Sequence, residues 1–313
     1  MRTLIRNIKT LAGILPEGQR LLKGKAMEHL EAIGNAYVLI ENGLISDFGS
    51  MVDCPDNADE IIDASHRFVL PAWCDSHTHL VFAKWREKEF ADKLRGLSYE
   101  DIARNGGGIL NSAKVLHDTS EEELFEAALQ RLTEIQHTGT GAVEIKSGYG
   151  LSYEGELKML RVIRKLKERS PLLIKSTFLG AHSYPMEYRQ NHDGYLDLLI
   201  NKLLPQIASE GLADYVDVFC EDGFFSAEET DRILAAAAKY GLQPKIHANE
   251  LAFSGGIEVG VKHNALSVDH LECTADAQIE ALLHSETMPT VLPTTAFFLK
   301  LPYAPARKMI DAG

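Results

Sequence analysis

Cysteine is scarce. Cys54, Cys74, Cys220 and Cys273 are scattered through 313 residues with no C-x-x-C spacing, which argues against a disulfide framework or a thiolate metal site and fits a reducing cytoplasm. An excess of positive charge is absent as well. At a formal net charge of -13 the chain would be repelled by nucleic acid and by anionic membrane, so neither is expected as a partner. No apolar run approaches membrane-spanning length, and the opening Met1-Arg2-Thr3-Leu4-Ile5-Arg6 lacks the long apolar region of a signal peptide. No G-x-G-x-x-G follows the first strand of the main body, which removes the usual dinucleotide cradle.

What is present is an ordinary globular composition, 45% hydrophobic and 25% charged, enough for one large domain and a small one. Over 1–67 short apolar runs are broken by turn residues. Segments 36–41 and 44–49 flank Asn42-Gly43, a strong hairpin signal, and Ile61-Ile62-Asp63 leads on. This region reads as a small β domain. From 68 to 313 strands alternate with amphipathic helices. Buried strands are expected at 70–79, 141–146, 173–179, 215–220, 244–247, 267–270 and 290–292. Capping boxes at Ser120/Glu123 and Ser226/Glu229 open helices, another helix spans 153–169, another 195–210, and a short one covers 98–104 before Gly106-Gly107-Gly108. That triplet follows a helix, so it reads as a flexible active-site loop. Seven β-then-α units leave a doubly wound sheet or a (β/α)8 TIM-type barrel, and the polar residues favour the barrel.

Those polar residues collect at the strand ends. His77 and His79 are two positions apart on one strand and so aim the same way, a pair of imidazoles that leaves coordination positions open. Two histidines hydrogen-bonded at a strand end would look the same. Further on come Lys146-Ser147-Gly148-Tyr149, Gly180-Ala181-His182, Glu221-Asp222, His247-Ala248-Asn249-Glu250 and Asp269-His270. A hydrolytic site needs about three protein ligands, a position for water and a base. His77, His79 and His247 are the candidate ligands. Glu250, three residues beyond His247, is the candidate general acid and base, although a solvated loop acid or helix-cap partner has the same signature. His270 is the candidate hydrogen-bond donor to a developing oxyanion, against a structural role. A histidine-rich, metal-free sugar- or acid-binding mouth is the competing reading of the whole set.

H-T-H at the first strand, H-A-N-E at the fifth and D-H at the sixth resemble the mononuclear branch of the amidohydrolase superfamily. Within it, H-T-H-x-V-F-A, Arg86 with its following E-F, Ala103-Arg104-Asn105-Gly106-Gly107-Gly108-Ile109, E-I-K-S-G-Y-G-L and F-L-G-A-H resemble the imidazolonepropionase family over nearly the whole chain. The resemblance implies hydrolysis of 4-imidazolone-5-propanoate to N-formimidoyl-L-glutamate in histidine degradation, with one zinc or iron ion. It implies that Arg86, Tyr149, His182 and Glu250 contact a small substrate with a carboxylate tail, and it implies a homodimer, which nothing in the residues themselves shows. Relatives with two metals bridge them through a carbamylated lysine on the fourth strand, where this chain has Cys220-Glu221, so a single ion is expected and Lys146 is not that lysine. The family's eighth strand carries an aspartate ligand. The given chain stops before it, and Asp311, in what reads as the preceding helix, is no substitute. The alternatives are a related amidohydrolase or deaminase acting on another heterocycle, or an inactive, C-terminally truncated remnant.

Overall fold

The computed structural model describes residues 1–97 and 107–313, so the helix expected over 98–104 and the Ala103-to-Gly106 part of its motif lie outside the described residues. The chain divides into two compact units, Met1–Ala72 with Arg307–Gly313, and Trp73–Ala306.

The first unit is a mixed sheet of β1 (Arg2–Ala12), β2 (Ala32–Glu41), β3 (Leu44–Ser50), β4 (Glu60–Asp63) and β5 (Phe68–Val69). The order is β3-β2-β1-β4, with β5 also on β1; β1 runs antiparallel to β2 and parallel to β4 and β5. Asn42 and Gly43 both take positive φ (53° and 83°), the backbone a two-residue hairpin loop needs to match the twist of β2 and β3. Alternation along β2 separates Ala36 and Val38 from Tyr37 and Leu39; the first pair packs in one buried cluster with Ile8 and Leu11 of β1, the second in another with Leu4, on either side of a register shift between Ile5 and Ile8.

The second unit holds seven parallel strands in sequential order: β6 (Trp73–Thr78), β7 (Thr140–Lys146), β8 (Leu173–Ala181), β9 (Tyr215–Cys220), β10 (Gln243–Ala248), β11 (Ser267–His270) and β12 (Met288–Val291). Parallel neighbours require crossovers, and the helices supply them. Helix Glu121–His137 buries Leu124, Ala128 and Leu132, and helix Tyr153–Arg169 buries Leu157, Leu160, Ile163 and Leu166. Both capping boxes form, at Ser120/Glu123 and Ser226/Glu229. The sheet curls strongly. Lys245 Nζ on β10 donates to Ser76 O on β6 at 3.1 Å, although four strand spacings in a flat sheet come to about 19 Å. The result is the α/β barrel architecture expected, built from seven strands, with no eighth among the described residues.

Three details depart from the sequence reading. The first barrel strand is shorter than 70–79 and is not buried along its length: Trp73 is 61% exposed, because β6 is an outer strand of the sheet. Between Asp75 and Thr78 three steps of β6 pass two of β7, a bulge just before the second histidine. The helix expected from 195 begins at His192, where the Asn191 side chain accepts the Gly194 N–H at 3.0 Å. It continues through a π-helical stretch, Leu198–Leu203, into Leu204–Glu210. Pro205 has no N–H to donate and crowds the preceding turn, which accounts for the widening. Asp311 lies in helix Ala306–Ala312 and pairs with Arg307 at 3.0 Å, as befits a helix-surface acid. No helix among the described residues is long and apolar enough to cross a membrane.

Candidate metal centre and its cavity

The curl of the sheet brings β6 and β10 face to face, and their histidines meet. His77, His79 and His247 each offer a ring nitrogen within 4.8 Å of the others. His79 Nε2 and His247 Nε2 lie 3.3 Å apart. Burial, with the neighbouring cations and imidazoles, holds the rings of His77 and His79 well below the usual histidine range, so both are neutral, the form that binds a metal. His79 Nδ1 is buried without a hydrogen-bond partner, the kind of orphan a ligand would explain. This triad can hold a metal ion.

Acids from alternate strands stand behind it. Asp269 Oδ2 on β11 accepts from His77 Nδ1 at 2.6 Å, which turns Nε2 of that ring toward the other two histidines. Asp217 on β9 takes the His247 backbone N–H at 3.1 Å, and its Oδ2 lies 3.0 Å from His247 Nδ1, an ion-pair approach without the alignment of a hydrogen bond. Buried Lys146 on β7 bonds Asp217 Oδ2 and Glu144 Oε1, both at 2.7 Å, and lies 3.9 Å from Asp269 Oδ2. Burial opposes its charge, yet Asp217, Glu144 and Asp269 outweigh that and hold the ammonium above the ordinary lysine range. A lysine so paired is a cation.

Beyond β10 the chain turns sharply. Asn249 sits at φ +54°, fixed by its amide donating to Cys273 O (2.9 Å), and Glu250 follows. Glu221, at the end of β9, accepts the backbone N–H of Glu250 at 2.5 Å and of Ala252 at 3.2 Å, so one carboxylate pins the turn. Burial, then repulsion from Glu272 and Glu221, pushes Glu250 up to about 8. Its Oε2 is 3.6 Å from His270 Nδ1. His270 is buried with no hydrogen bond to either ring nitrogen, and its ring centre lies 5.2 Å from that of His77. His270 and Leu271 both take positive φ (86° and 72°), strain of a kind that concentrates where a side chain must be aimed.

On the outer side of His79 a cavity of about 600 Å³ is lined by His79, Phe82, Trp85, Arg86, Tyr149 and Phe298. His182 stacks on His79 with ring centres 5.1 Å apart and donates from Nδ1 to Gly148 O at 2.9 Å. Burial and His247 bring its ring down to about 3. Tyr149 stands 5.7 Å from the His79 ring. Arg86 forms an ion pair with Glu89, whose other oxygen accepts the Gly108 N–H at 3.0 Å. Of the expected residues, His79, Arg86 and Tyr149 line this cavity, whereas His182 meets it only through its ring contacts with His79 and Tyr149, and His77, His247, Glu250 and His270 lie outside its lining.

Comparison with known proteins adds a family. No family model matches the chain. It is 57% identical over 314 residues to the imidazolonepropionase of Flavobacterium johnsoniae and 55% identical over 313 residues to that of Christiangramia forsetii, covering all of this chain and 76% of each relative. The chain belongs to the imidazolonepropionase family. Among solved structures, a triazine hydrolase from Arthrobacter aurescens superposes with a TM-score of 0.71 at 14% identity, and guanine deaminase from C. acetobutylicum with 0.66 at 16%. Each covers the whole chain, and the chain covers 70% and 73% of them. At such identities they show a shared fold, that of the amidohydrolase barrel.

In this imidazolonepropionase-family chain several site residues escaped the sequence reading. Asp217 sits in the middle of a strand whose apolar neighbours conceal it. Asp269 was visible as a strand-end acid but nothing local ties it to His77, 192 positions away. Glu156 occupies an ordinary helix position, yet it is fully buried and accepts N–H groups from Gly148, Gly150 and Leu151 at 3.2, 2.8 and 3.1 Å. That carboxylate shapes the loop that presents Tyr149. A buried acid in the first turn of a helix looks like an ordinary dipole-favoured acid and has no signature apart from the glycines it must hold.

Proposed function

We propose that this chain hydrolyses 4-imidazolone-5-propanoate to N-formimidoyl-L-glutamate, with one zinc or iron ion held by His77, His79 and His247. The observation that carries the reading is the junction of that triad with a cavity containing Arg86, in a chain 57% identical to an imidazolonepropionase. When bound, the ion supplies Lewis acidity and makes a water acidic enough to act as nucleophile near neutral pH. Arg86 engages the propionate tail, since a guanidinium is a planar fork matched to a carboxylate. Tyr149 and His182 hydrogen-bond the flat ring and fix its face. Glu250 removes the proton of the attacking water; a carboxyl held near 8 both accepts and returns a proton at the working pH. His270, with its buried, unpartnered ring nitrogens, donates to the carbonyl oxygen as negative charge develops there. Glu250 then delivers its proton to the departing ring nitrogen.

The test is a zinc-loaded assay of the purified chain on imidazolonepropanoate, with ion content measured on the same sample. Turnover with one ion per chain is expected. Glu250→Gln should retain the ion and lose about 10²–10⁴-fold in kcat. His247→Ala should instead lose the ion itself. Near-normal turnover in Glu250→Gln, or full metal content in His247→Ala, overturns the assigned role.

A further inference from the structure

Lys146 does not touch the cavity or the triad, yet it lies on the line between the two acids that meet triad histidines. Three strands contribute: Lys146 from β7, Asp217 from β9 and Asp269 from β11, the alternate-strand arrangement by which barrel interiors fill in layers. All three side chains are fully buried. We propose that Lys146 is a positioning residue for the metal centre: its ammonium fixes the Asp217 and Asp269 carboxylates, and through them the rings of His247 and His77.

The chain of contacts is short. Lys146 Nζ reaches Asp217 Oδ2 at 2.7 Å, and the same oxygen lies 3.0 Å from His247 Nδ1. Lys146 Nζ is 3.9 Å from Asp269 Oδ2, the same oxygen that accepts from His77 Nδ1 at 2.6 Å. Each carboxylate oxygen therefore faces the lysine on one side and an imidazole on the other. Without the cation, two buried anions would face each other across the barrel with less to hold them, and the imidazoles they orient would lose their fixed direction. The two arms are unequal. Lys245 Nζ also lies 3.4 Å from Asp269 Oδ2, whereas no second lysine among the described residues pairs with Asp217. Loss of Lys146 should fall mainly on His247. The competing role is charge balance for the fold, because Lys146 also bonds Glu144 at 2.7 Å.

The inference rests on the triad binding a metal, and the experiment separates the two. Zinc affinity of the full chain is measured by chelator competition, and the absorption spectrum of bound cobalt reports ligand geometry. Lys146→Met strands several acids and can unfold the protein, so the deciding variant is the double K146M/E144Q, which removes one buried charge of each sign. We expect it to fold, by circular dichroism, and to bind zinc about 10–100-fold more weakly, with an altered cobalt spectrum. Asp217→Asn should show a loss of similar size, and adding K146M/E144Q to it should cost little more, because both act through the same oxygen. A folded K146M/E144Q protein with wild-type zinc affinity and cobalt spectrum would overturn the inference while leaving the metal site standing. A wild-type chain that takes up no zinc would overturn both.

Discussion

Glu250 and Glu272 are acids whose surroundings work against their charge. Burial is the first cause for each; it pushes Glu250 to about 8 and Glu272 to about 7. A carboxyl held above its unfolded value of about 4.3 binds its proton more tightly in the folded protein. Its contribution to stability is therefore present at low pH and withdrawn as pH climbs through 4.3 toward the folded value. Between pH 5 and 8 the metal-free protein should lose stability, and Glu250→Gln, which keeps the shape without the charge, should be more stable than wild type at pH 8 by about 1–3 kcal/mol and no different at pH 4. Denaturant melts at the two pH values check this; equal midpoints for the two proteins at pH 8 would refute it. At this scale the sequence was informative where two functional residues are close in the chain. His77 with His79, and His247 with Glu250, announce themselves by spacing. The pairing of Lys146 with Asp217 does not, because the two meet across 71 positions and Asp217 sits among apolar strand residues that look like core.

Among elements, the turns after the strands do the aiming, and buried acids hold them. Glu156 does so after β7, Glu221 after β10. Removing Glu156 by Glu156→Ala leaves the N–H groups of Gly148, Gly150 and Leu151 without their acceptor and should cost about 1–3 kcal/mol. Because Gly148 O also accepts the hydrogen bond from His182 Nδ1 and Tyr149 rides on the same loop, KM should rise more than kcat falls. Thermal melting together with steady-state kinetics tests this, and an unchanged KM would remove Glu156 from the substrate side. Gly260 shows the packing limit on these crossovers. A methyl there would come within 2.4 Å of Val268 Cγ1, so Gly260→Ala should destabilise by about 1–3 kcal/mol, read from its melting midpoint. Element boundaries were legible where a local motif writes them. Ser120/Glu123, Ser226/Glu229 and Asn42-Gly43 each contain their own hydrogen-bond partners or backbone demands. The early start at His192 and the widened turn before Pro205 were not, because an Asn cap with glycine in place of the capping-box Glu or Gln three residues on, and a mid-helix proline, each permit several outcomes.

At the scale of the whole chain, alternation of strand and helix narrowed the choice to a doubly wound sheet or a barrel, and the polar residues at the strand ends decided for the barrel. That seven strands would leave the sheet open at an edge followed from the strand count, and the sheet order ends on β6 and β12. Among the described residues β6 and β12 are the sheet's two edges, and β6 carries Trp73 and Cys74 exposed. Exposed edges invite pairing with another chain. Trp73→Lys should lower concentration-dependent self-association, measured by light scattering, with zinc uptake unchanged; identical scattering would show that the edge plays no part. The bulge between Asp75 and Thr78 matters differently. A strand without it couples every side chain to its neighbours in strict alternation, so that a slip anywhere turns a ligand outward. The extra step acts as a slack joint. It lets Cys74 and Asp75 pair with β7 in one register and Thr78, with His79 just beyond it, in another, so the aim of His79 does not depend on the pairing upstream.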